Sequence, residues 1–319
     1  MSVELPPLGG SPLGSSLPLA RAPFAPELLA LPAPRHLHEA LTRSQHLHFG
    51  YFETPADSLP QAQDRLITRA LRHLPRAALV ADVGCGLGGA VNLIAAQGHR
   101  VYGLDPCVAS IAYARTRTSS PRAQLLVADL AQFATRAKGA RFDALFLTDV
   151  LVHFPDLAQL FAHCRALLRP GGMVIIHDLA RVTRVGPGSH GRGALRMAAD
   201  AAGFDMLEGR DVSHRVVSTL PRLARGLVDQ KEVLGAQLAP ARTDFERECL
   251  DYLQQLRNLE LAFARQEVAY EVHVLRCSTR FSTDSVVMRA PTRSAAAPSS
   301  PPRAAGPALA RAEHLPRID

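Results

Sequence analysis

The sequence contains no tryptophan, only two lysines (Lys138 and Lys231) and 5% aromatic residues in 319 positions. Its core therefore has to be built mainly from Leu, Val, Ile and Ala. Nearly all the positive charge is arginine, and no interior run interleaves basic with aromatic residues, so the pattern does not predict a nucleic-acid surface. The net charge of +7 does not alter this, because residues 289–319 hold five arginines and two acidic residues and thus supply +3 of it.

Cysteine is also sparse. The five cysteines are scattered, and no CxxC or CxxH cluster occurs, which argues against a structural zinc site or a disulfide framework. The pairs His36-x-His38 and His46-x-His48 have no carboxylate or cysteine partners at useful spacing, so we expect no metal site. A reducing, cytoplasmic setting fits this composition.

Long hydrophobic runs are missing as well. The apolar stretch at residues 17–31 is interrupted by prolines and follows no basic segment, unlike a signal peptide. No uninterrupted apolar run reaches the roughly 18–20 residues that a membrane span needs. We therefore expect a soluble protein without a membrane span.

Composition divides the chain into four parts. Residues 1–34 are rich in Pro, Gly and Ser, and residues 289–319 in Ala, Pro, Ser and Arg, so we predict that both tails are disordered. Residues 35–62 precede the folded domain as a separate N-terminal segment. The folded domain is predicted to cover residues 63–279.

Short apolar runs alternate with longer helical segments inside this domain. Strands are predicted at 77–83, 100–104, 124–127, 142–147, 173–176, 204–210 and 268–277, and helices at 89–97, 107–117, 130–138, 156–168 and 194–202. Such alternation predicts an α/β fold with a doubly wound, Rossmann-like sheet that helices cover on both faces.

The segment at about 213–265 has helical periodicity and no strand signals. We predict two helices there, with a break near Ala239-Pro240. An insertion of this size cannot belong to the sheet. Ligands of open α/β sheets bind outside the carboxyl ends of the strands, so we interpret it as a helical lid.

The strongest motif is the glycine cluster at residues 80–89. Gly84 and Gly86 follow a strand and precede a helix, and they let the backbone turn sharply and approach a ligand. The glycines fit both GxGxG and GxGxxG. The cluster alone therefore predicts a nucleotide site without separating an adenosylmethionine from a dinucleotide.

Three acidic residues narrow this choice. Asp82 lies inside the first strand, where a buried charge is costly without a partner, and the amino group of a methionine moiety could be that partner. Asp105 follows the second strand and could accept hydrogen bonds from ribose hydroxyls. Asp129, in Ala128-Asp129-Leu130, could accept from an adenine amino group. Solvation or helix N-capping is the alternative role for Asp105 and Asp129.

These motifs, together with Gly103-Leu104-Asp105, Phe142-Asp143 and Leu168-Arg-Pro-Gly-Gly-Met173, resemble class I S-adenosylmethionine-dependent methyltransferases in order and spacing. The resemblance covers about residues 45–180. It implies a seven-stranded sheet with an antiparallel last strand, S-adenosylmethionine as cofactor and a small-molecule substrate.

The segment His46-Leu-His48-Phe49-Gly50-Tyr51-Phe52 resembles one that folds over the cofactor in small-molecule methyltransferases of the tocopherol, sugar and polyketide-tailoring kind. The resemblance implies that residues 35–62 form an N-terminal lid segment and that Tyr51 lies near the methionine end. The predicted cofactor-binding residues are Tyr51, Asp82, Gly84, Gly86, Asp105, Ala128, Asp129, Leu130 and Thr148.

A general base is needed only if the acceptor must lose a proton, because the cofactor methyl group is already activated. His153 and Asp178, after strands four and five, are the predicted catalytic residues. His153 could instead cap or pack the loop. In similar sugar O-methyltransferases the base is a His at the position of Val152, paired with an Asp that matches Asp178, so Val152 departs from that pattern.

The sequence as a whole predicts methyl transfer to a small molecule, with the hydroxyl of a secondary metabolite as the favoured acceptor. C- or N-methylation of a prenylated or aromatic molecule stays open. A nicotinamide-dependent oxidoreductase and a catalytically idle cofactor-binding protein are the alternatives from other classes. The oligomeric state is left open.

Overall fold

The computed structural model describes residues 41–137, 141–182, 191, 193–238 and 244–279. The two tails predicted to be disordered and the predicted helix break near residues 239–240 lie outside the described residues.

The core is one seven-stranded sheet with the order β3-β2-β1-β4-β5-β7-β6. Its strands are β1 Leu79–Val83, β2 Arg100–Asp105, β3 Ala123–Val127, β4 Phe142–Thr148, β5 Leu168–Arg181, β6 Phe204–Asp211 and β7 Val268–Cys277. Only β7 runs antiparallel, to β5 on one side and β6 on the other. The predicted fold class, including the antiparallel last strand, is confirmed.

Nine helices are described around this sheet. They are α1 Leu59–Leu71, α2 Gly89–Ala96, α3 Val108–Arg117, α4 Leu130–Arg136, α5 Leu157–Leu167, α6 Ala194–Ala201, α7 Ser213–Val216, α8 Thr219–Leu238 and α9 Phe245–Ala264. A single 3-10 turn, Leu151–His153, follows β4.

Alternate residues of the central strands face two different cores. Val80 packs with residues of α1, α2 and α3 on one face. Its neighbour Ala81 packs with residues of α4, α5 and α6 on the other face. Because both faces are covered, β1 is apolar almost throughout, as is typical of a central parallel strand, and Asp82 is its one polar residue.

Helix α1 begins where the sequence supplies a capping box. The Ser58 hydroxyl accepts a hydrogen bond from the Gln61 backbone N–H, and the Gln61 side chain accepts from the Ser58 N–H. These bonds satisfy donors that the first helical turn leaves without partners. Leu66 and Ile67 then bury the inner face of the helix.

Strand β5 is longer than predicted, since it covers 14 residues rather than 173–176. The prediction stopped at Ile176 because His177, Asp178 and Arg181 are polar. All three are nevertheless buried, and the strand continues because β7 pairs with it as far as Arg181. Strand assignments from hydrophobicity alone miss such polar, buried strand ends.

Helices α7, α8 and α9, which we call the helical cover, pack over the carboxyl end of β5 and the amino end of β7. Their buried side chains form one apolar cluster with Leu179, Val268 and Tyr270 of the two strands. The cover contributes Val216, Leu220, Leu223, Leu227, Leu234, Phe245, Tyr252, Leu256 and Leu259 to this cluster. Among the helices that the structure describes, none combines the length and apolarity that crossing a membrane demands.

Candidate functional site

The glycine cluster forms a tight turn between β1 and α2, as predicted. Gly84, Gly86 and Gly88 have φ of +74°, +54° and +86°, a region that L-residues with side chains rarely adopt. The N–H groups of Gly84 and Cys85 both donate to the Leu104 carbonyl, at 2.7 and 2.9 Å. These bonds hold the turn against the end of β2.

Close packing also explains why positions 84 and 89 are glycine. A Cβ atom on Gly84 would lie 2.4 Å from Cγ1 of Val150, the residue that follows Asp149 after β4. A Cβ atom on Gly89 would lie 2.7 Å from Nδ1 of His46. The turn is thus bordered by the loop after β4 on one side and by the N-terminal segment on the other.

Asp82 is enclosed directly before this turn. Its side chain is buried, and Oδ2 has no hydrogen-bond partner among the described residues. Burial, together with the nearby charge of Asp105, raises the pKa of Asp82 to about 7. A buried carboxyl with an open acceptor position is suited to an ammonium group.

Asp105 anchors the turn from the end of β2. Its Oδ2 accepts from the Gly86 N–H at 3.0 Å, and its Oδ1 accepts from the Cys107 N–H at 2.8 Å. Each carboxylate oxygen can accept a second hydrogen bond. The residue can therefore hold the turn and receive ribose hydroxyls at the same time.

Asp129 has the alternative role that the sequence left open. Its Oδ1 accepts from the Gln132 N–H at 2.7 Å and so caps α4. The residue is exposed, whereas its neighbours Ala128 and Leu130 are buried. Contact of these three residues with adenine stays a prediction.

Residues 45–52, which we call the strap, lie across the glycine turn. The Gln45 amide donates to the Leu87 carbonyl at 3.1 Å and accepts from the Asn92 side chain of α2 at 3.0 Å. A Cβ atom on Gly86 would lie 3.1 Å from Cδ1 of Leu47. The strap therefore covers the turn where a bound cofactor would be shielded from water.

Helix α1 holds the strap in place. The buried Gln63 amide donates to the carbonyls of His46 and His48, at 3.3 and 2.7 Å. The two imidazoles are hydrogen-bonded to each other at 2.8 Å, and His46 Nε2 lies 2.9 Å from an Asp64 oxygen. The two imidazoles are thus hydrogen-bonded within the strap and, through Asp64, to α1.

The second half of the strap reaches the helical cover. The Gly50 N–H donates to the Thr219 hydroxyl at the start of α8, at 3.0 Å. The Tyr51 ring lies against the Arg69 guanidinium, 4.4 Å from ring centroid to Cζ, and borders a cavity that His177 and Val272 also line. A contact between Tyr51 and the cofactor stays a prediction.

Thr148 and His177 meet at the carboxyl ends of β4 and β5. The Thr148 hydroxyl lies 3.1 Å from Nδ1 of His177. Burial lowers the pKa of His177 to about 3, so this imidazole is neutral at physiological pH. Thr148 stays a predicted cofactor residue.

The two predicted catalytic residues have very different surroundings. His153 is exposed in the 3-10 turn. Asp178 is buried and accepts from three backbone N–H groups, those of Val150, Leu151 and Leu179, at 2.7 to 2.8 Å. Asp178 therefore fixes the loop after β4. A catalytic role for either residue stays a prediction.

The sequence did not single out Asp149 or Tyr270. Asp149 directly follows β4 and has a φ of +53°, although it is not a glycine. The residue is half-buried with its Oδ1 atom enclosed, and its carboxyl lies close to Asp178 and interacts with the Tyr270 hydroxyl. Its position after a strand was a signal for Asp149, but Tyr270 looks like any apolar residue of β7.

These residues fit S-adenosylmethionine. The turn lets a ligand approach the backbone, Asp82 offers a buried acceptor for an amino group, and Asp105 offers acceptors for ribose hydroxyls. When bound, the cofactor supplies an electrophilic methyl group on a sulfonium. This chain's part would be to bind it, to shield it with the strap and to orient an acceptor.

Comparisons with known proteins agree with this geometry. Residues 81–176 match the sequence model of the methyltransferase domain family. A ubiquinone biosynthesis O-methyltransferase of Histophilus somni is 33% identical over 107 residues, which are 32% of this chain and 45% of that protein. A dimethylglycine N-methyltransferase of Parasynechococcus marenigrum is 27% identical over 149 residues, 44% of this chain and 52% of that protein. The chain thus spans about half the length of these curated relatives.

A solved structure shows the same fold over a longer stretch. The cyclopropane synthase MmaA2 from Mycobacterium tuberculosis superposes with a TM-score of 0.66 at 19% identity, covering 79% of this chain and 98% of that one. The strand order also decides against the oxidoreductase alternative, because dinucleotide-binding sheets have the order 3-2-1-4-5-6, without an antiparallel β7 between β5 and β6. Residues 81–176 therefore form a methyltransferase domain, on the sheet topology of the class I S-adenosylmethionine-dependent methyltransferases.

Proposed function

We propose that this protein transfers a methyl group from S-adenosylmethionine to a hydroxyl group of a small, largely apolar molecule. The observation that carries the proposal is the helical cover, whose apolar inner side packs on Leu179 of β5 and Tyr270 of β7, next to the loop that touches Gly84. An enclosed apolar surface of this kind suits a small acceptor better than a macromolecule.

A few contacts connect the glycine turn with the helical cover. Val150 contacts the position of Gly84, and the preceding residue, Asp149, interacts with Tyr270. Tyr270 and Leu179 in turn belong to the apolar cluster of the cover. An acceptor held under the cover would thus lie beside the loop that borders the cofactor.

N-methylation is the second candidate. Asp149, which is half-buried, and Asp178, which is buried, lie close to each other, and no salt bridge to either carboxyl occurs among the described residues. A cationic amine could balance such a pair. The similarity to both an O- and an N-methyltransferase leaves the acceptor atom to experiment.

A transfer assay tests the proposal. The protein would be incubated with S-adenosylmethionine carrying a radioactive methyl group and with two probes of similar tail, octyl gallate as a phenol and octylamine as an amine. Calorimetric titration with S-adenosylhomocysteine would be run in parallel, with Asp105→Ala as the binding-deficient control.

Three results are informative. Radioactive octyl gallate supports hydroxyl methylation, whereas radioactive octylamine alone moves the proposal to N-methylation. Tight S-adenosylhomocysteine binding without label in either probe or in a wider panel of apolar phenols refutes the hydroxyl acceptor but keeps the cofactor site. Absence of S-adenosylhomocysteine binding refutes the site itself.

A further inference from the structure

A cavity of about 150 Å³ lies between helix α1 and the sheet, next to the helical cover. Its apolar walls are Leu66 and Ala70 of α1, Val212 directly after β6, and Val272 and Val274 of β7. Leu66, Val212 and Val272 also belong to the apolar cluster of the cover. In another protein a cavity of roughly this volume holds one benzene ring, so the space suits a ligand of one ring.

One side of this cavity reaches the predicted cofactor residue Thr148. His177, near the carboxyl end of β5, lines the cavity, and its Nδ1 lies 3.1 Å from the Thr148 hydroxyl. Tyr51 of the strap lines the cavity as well. Because burial lowers the pKa of His177 to about 3, its imidazole is uncharged and offers a ligand hydrogen bonding rather than charge. This side therefore suits a hydroxyl group.

The opposite side of the cavity carries a surplus of positive charge. Glu208 Oε2 accepts from Arg72 at 2.9 Å, and Glu208 Oε1 lies 3.1 Å from Nε of Arg210. All three residues line the cavity. Two guanidinium groups thus share one carboxylate, which leaves one positive charge unbalanced among the three. His73, 3.2 Å from the same carboxylate, adds positive charge whenever it is protonated.

The other charged residues that line the cavity have partners of their own. Arg69 pairs with Glu53 at 3.2 Å. Asp211 accepts from the Ser213 N–H at 3.0 Å, and among the described residues no ion pair joins Asp211 to either guanidinium of the Glu208 cluster. The unbalanced charge is therefore local to that cluster.

Strand register determines how far apart the two sides are. Val272 of β7 is paired with His177 of β5 on one side and with Arg210 of β6 on the other. The backbones of His177 and Arg210 are therefore two strand spacings apart, roughly 10 Å. A single aromatic ring with a substituent at each end can bridge the gap between their side chains.

We propose that the cavity binds a one-ring acceptor that carries an acidic group, with this group at Arg72 and Arg210 and a hydroxyl toward His177. The inference rests on the proposed function and narrows its acceptor to an anionic phenol. A guanidinium has five N–H donors, of which Arg72 uses two and Arg210 one in the described contacts. The remaining donors suit a carboxylate, which binds guanidinium groups through paired hydrogen bonds.

The exposure of the two arginines sets the size of the effect. Their side chains are 47% and 62% exposed, so water and salt weaken the attraction for an anion. We therefore expect an acidic ligand to bind about tenfold more tightly than a neutral one of the same shape.

The deciding experiment compares 3,4-dihydroxybenzoate with 3,4-dihydroxybenzamide, which have the same shape but differ in charge. Calorimetric titration in the presence of saturating S-adenosylhomocysteine measures the affinity for each probe. We expect the acid to bind about tenfold more tightly. Raising the salt concentration from about 0.05 to about 0.5 M should weaken binding of the acid only, because salt screens charge.

Arg210→Gln removes the surplus cation and leaves Glu208 paired with Arg72. The preference for the acid should then fall to about twofold or less. Arg276→Gln is the matched control, because Arg276 of β7 also pairs with a carboxylate of β6, Asp205, and is half-exposed, but does not line the cavity. It should keep the tenfold preference. Both variants lose one exposed ion pair, so both should melt within about 2 °C of the wild type.

Methyl transfer provides the second readout. We expect kcat/KM to favour the acid over the amide about tenfold in the wild type and in Arg276→Gln, and about twofold or less in Arg210→Gln. The preference is a ratio within one protein, so a general loss of activity in a variant does not change it.

Three results would overturn the inference. The first is binding of the acid that is absent or no tighter than that of the amide, and the second is a preference for the acid that Arg210→Gln keeps. The third is charge-dependent binding of the acid without methyl transfer to it, while octyl gallate is methylated in the same preparation. In each case the proposed function stands. Failure to bind S-adenosylhomocysteine, or to methylate any phenol, would instead refute the proposed function.

Discussion

Gly84→Ala tests the geometry of the glycine turn directly. The added methyl group would lie 2.4 Å from Cγ1 of Val150, at a φ of +74°. The left-handed backbone costs an L-residue about 1–2 kcal/mol, and overpacking costs about 1–3 kcal/mol more. We therefore expect Gly84→Ala to lower the free energy of unfolding by about 2–5 kcal/mol, measured by urea denaturation.

Gly98→Ala is the matched control for the backbone cost. Gly98 has a similar φ of +88°, but nothing lies within 4 Å of a Cβ atom there. Its substitution should cost only about 1–2 kcal/mol. The difference between the two variants is the steric cost of the contact with Val150.

A double-mutant cycle isolates that steric cost. In the Gly84→Ala background, Val150→Ala should recover about 1–3 kcal/mol relative to the sum of the single effects. The backbone cost should persist, so the double variant stays less stable than Val150→Ala alone. Additive effects, or a Gly84→Ala variant no less stable than Gly98→Ala, would refute the packing of the loop after β4 against the turn.

Three further predictions concern the cofactor site. Asp105→Ala removes the acceptor for the Gly86 and Cys107 N–H groups as well as for ribose, so S-adenosylhomocysteine affinity should fall on the order of 10–100-fold by calorimetry; unchanged affinity would contradict the site. Because the folded-state pKa of Asp82 is raised to about 7, folding disfavours its ionised form, and this residue should contribute a fall in the stability of the free protein as pH rises from about 4 to about 7, against the opposite contribution of His177, whose pKa is lowered. Asp82→Asn should reduce this slope without abolishing it, since the pKa of Asp178 is also raised to about 7; an identical slope in both proteins would be the contrary result. Gln63→Leu removes two bonds to the strap, so hydrogen exchange of the strap amides and the dissociation rate of S-adenosylhomocysteine should each increase about five- to tenfold, whereas unchanged exchange would show that α1 does not hold the strap.

The sequence predicted the sheet well because its signals are local. Strands β1 to β4 are apolar runs bounded by turn residues, and the glycine turn marks the end of β1 without ambiguity. Most predicted bounds of these elements agree with the structure to within about two residues. The direction of β7 came from the resemblance to a family, since no local pattern encodes it.

The candidate site was harder to predict because its polar groups depend on contacts between distant segments. In the sequence Asp178 has no evident partner, but three backbone N–H groups, two from the loop after β4 and one from β5 itself, donate to its carboxylate. Asp129 caps a helix, which its local sequence allowed as an alternative. Asp149 and Tyr270 are 121 positions apart in the printed sequence, and no spacing rule connects them.

The strap has a consequence for how such enzymes can be recombined. Gln45 and His46 occupy the space that a side chain at position 89 would need. The strap and the glycine turn therefore have complementary surfaces. The stretch that matches the family, residues 81–176, contains only one half of this pair. A chimera that transplants the family stretch alone would separate the glycine turn from the strap that fits it, whereas one that carries residues 45–71 with it would transplant the strap, the helix α1 that holds it and the turn together.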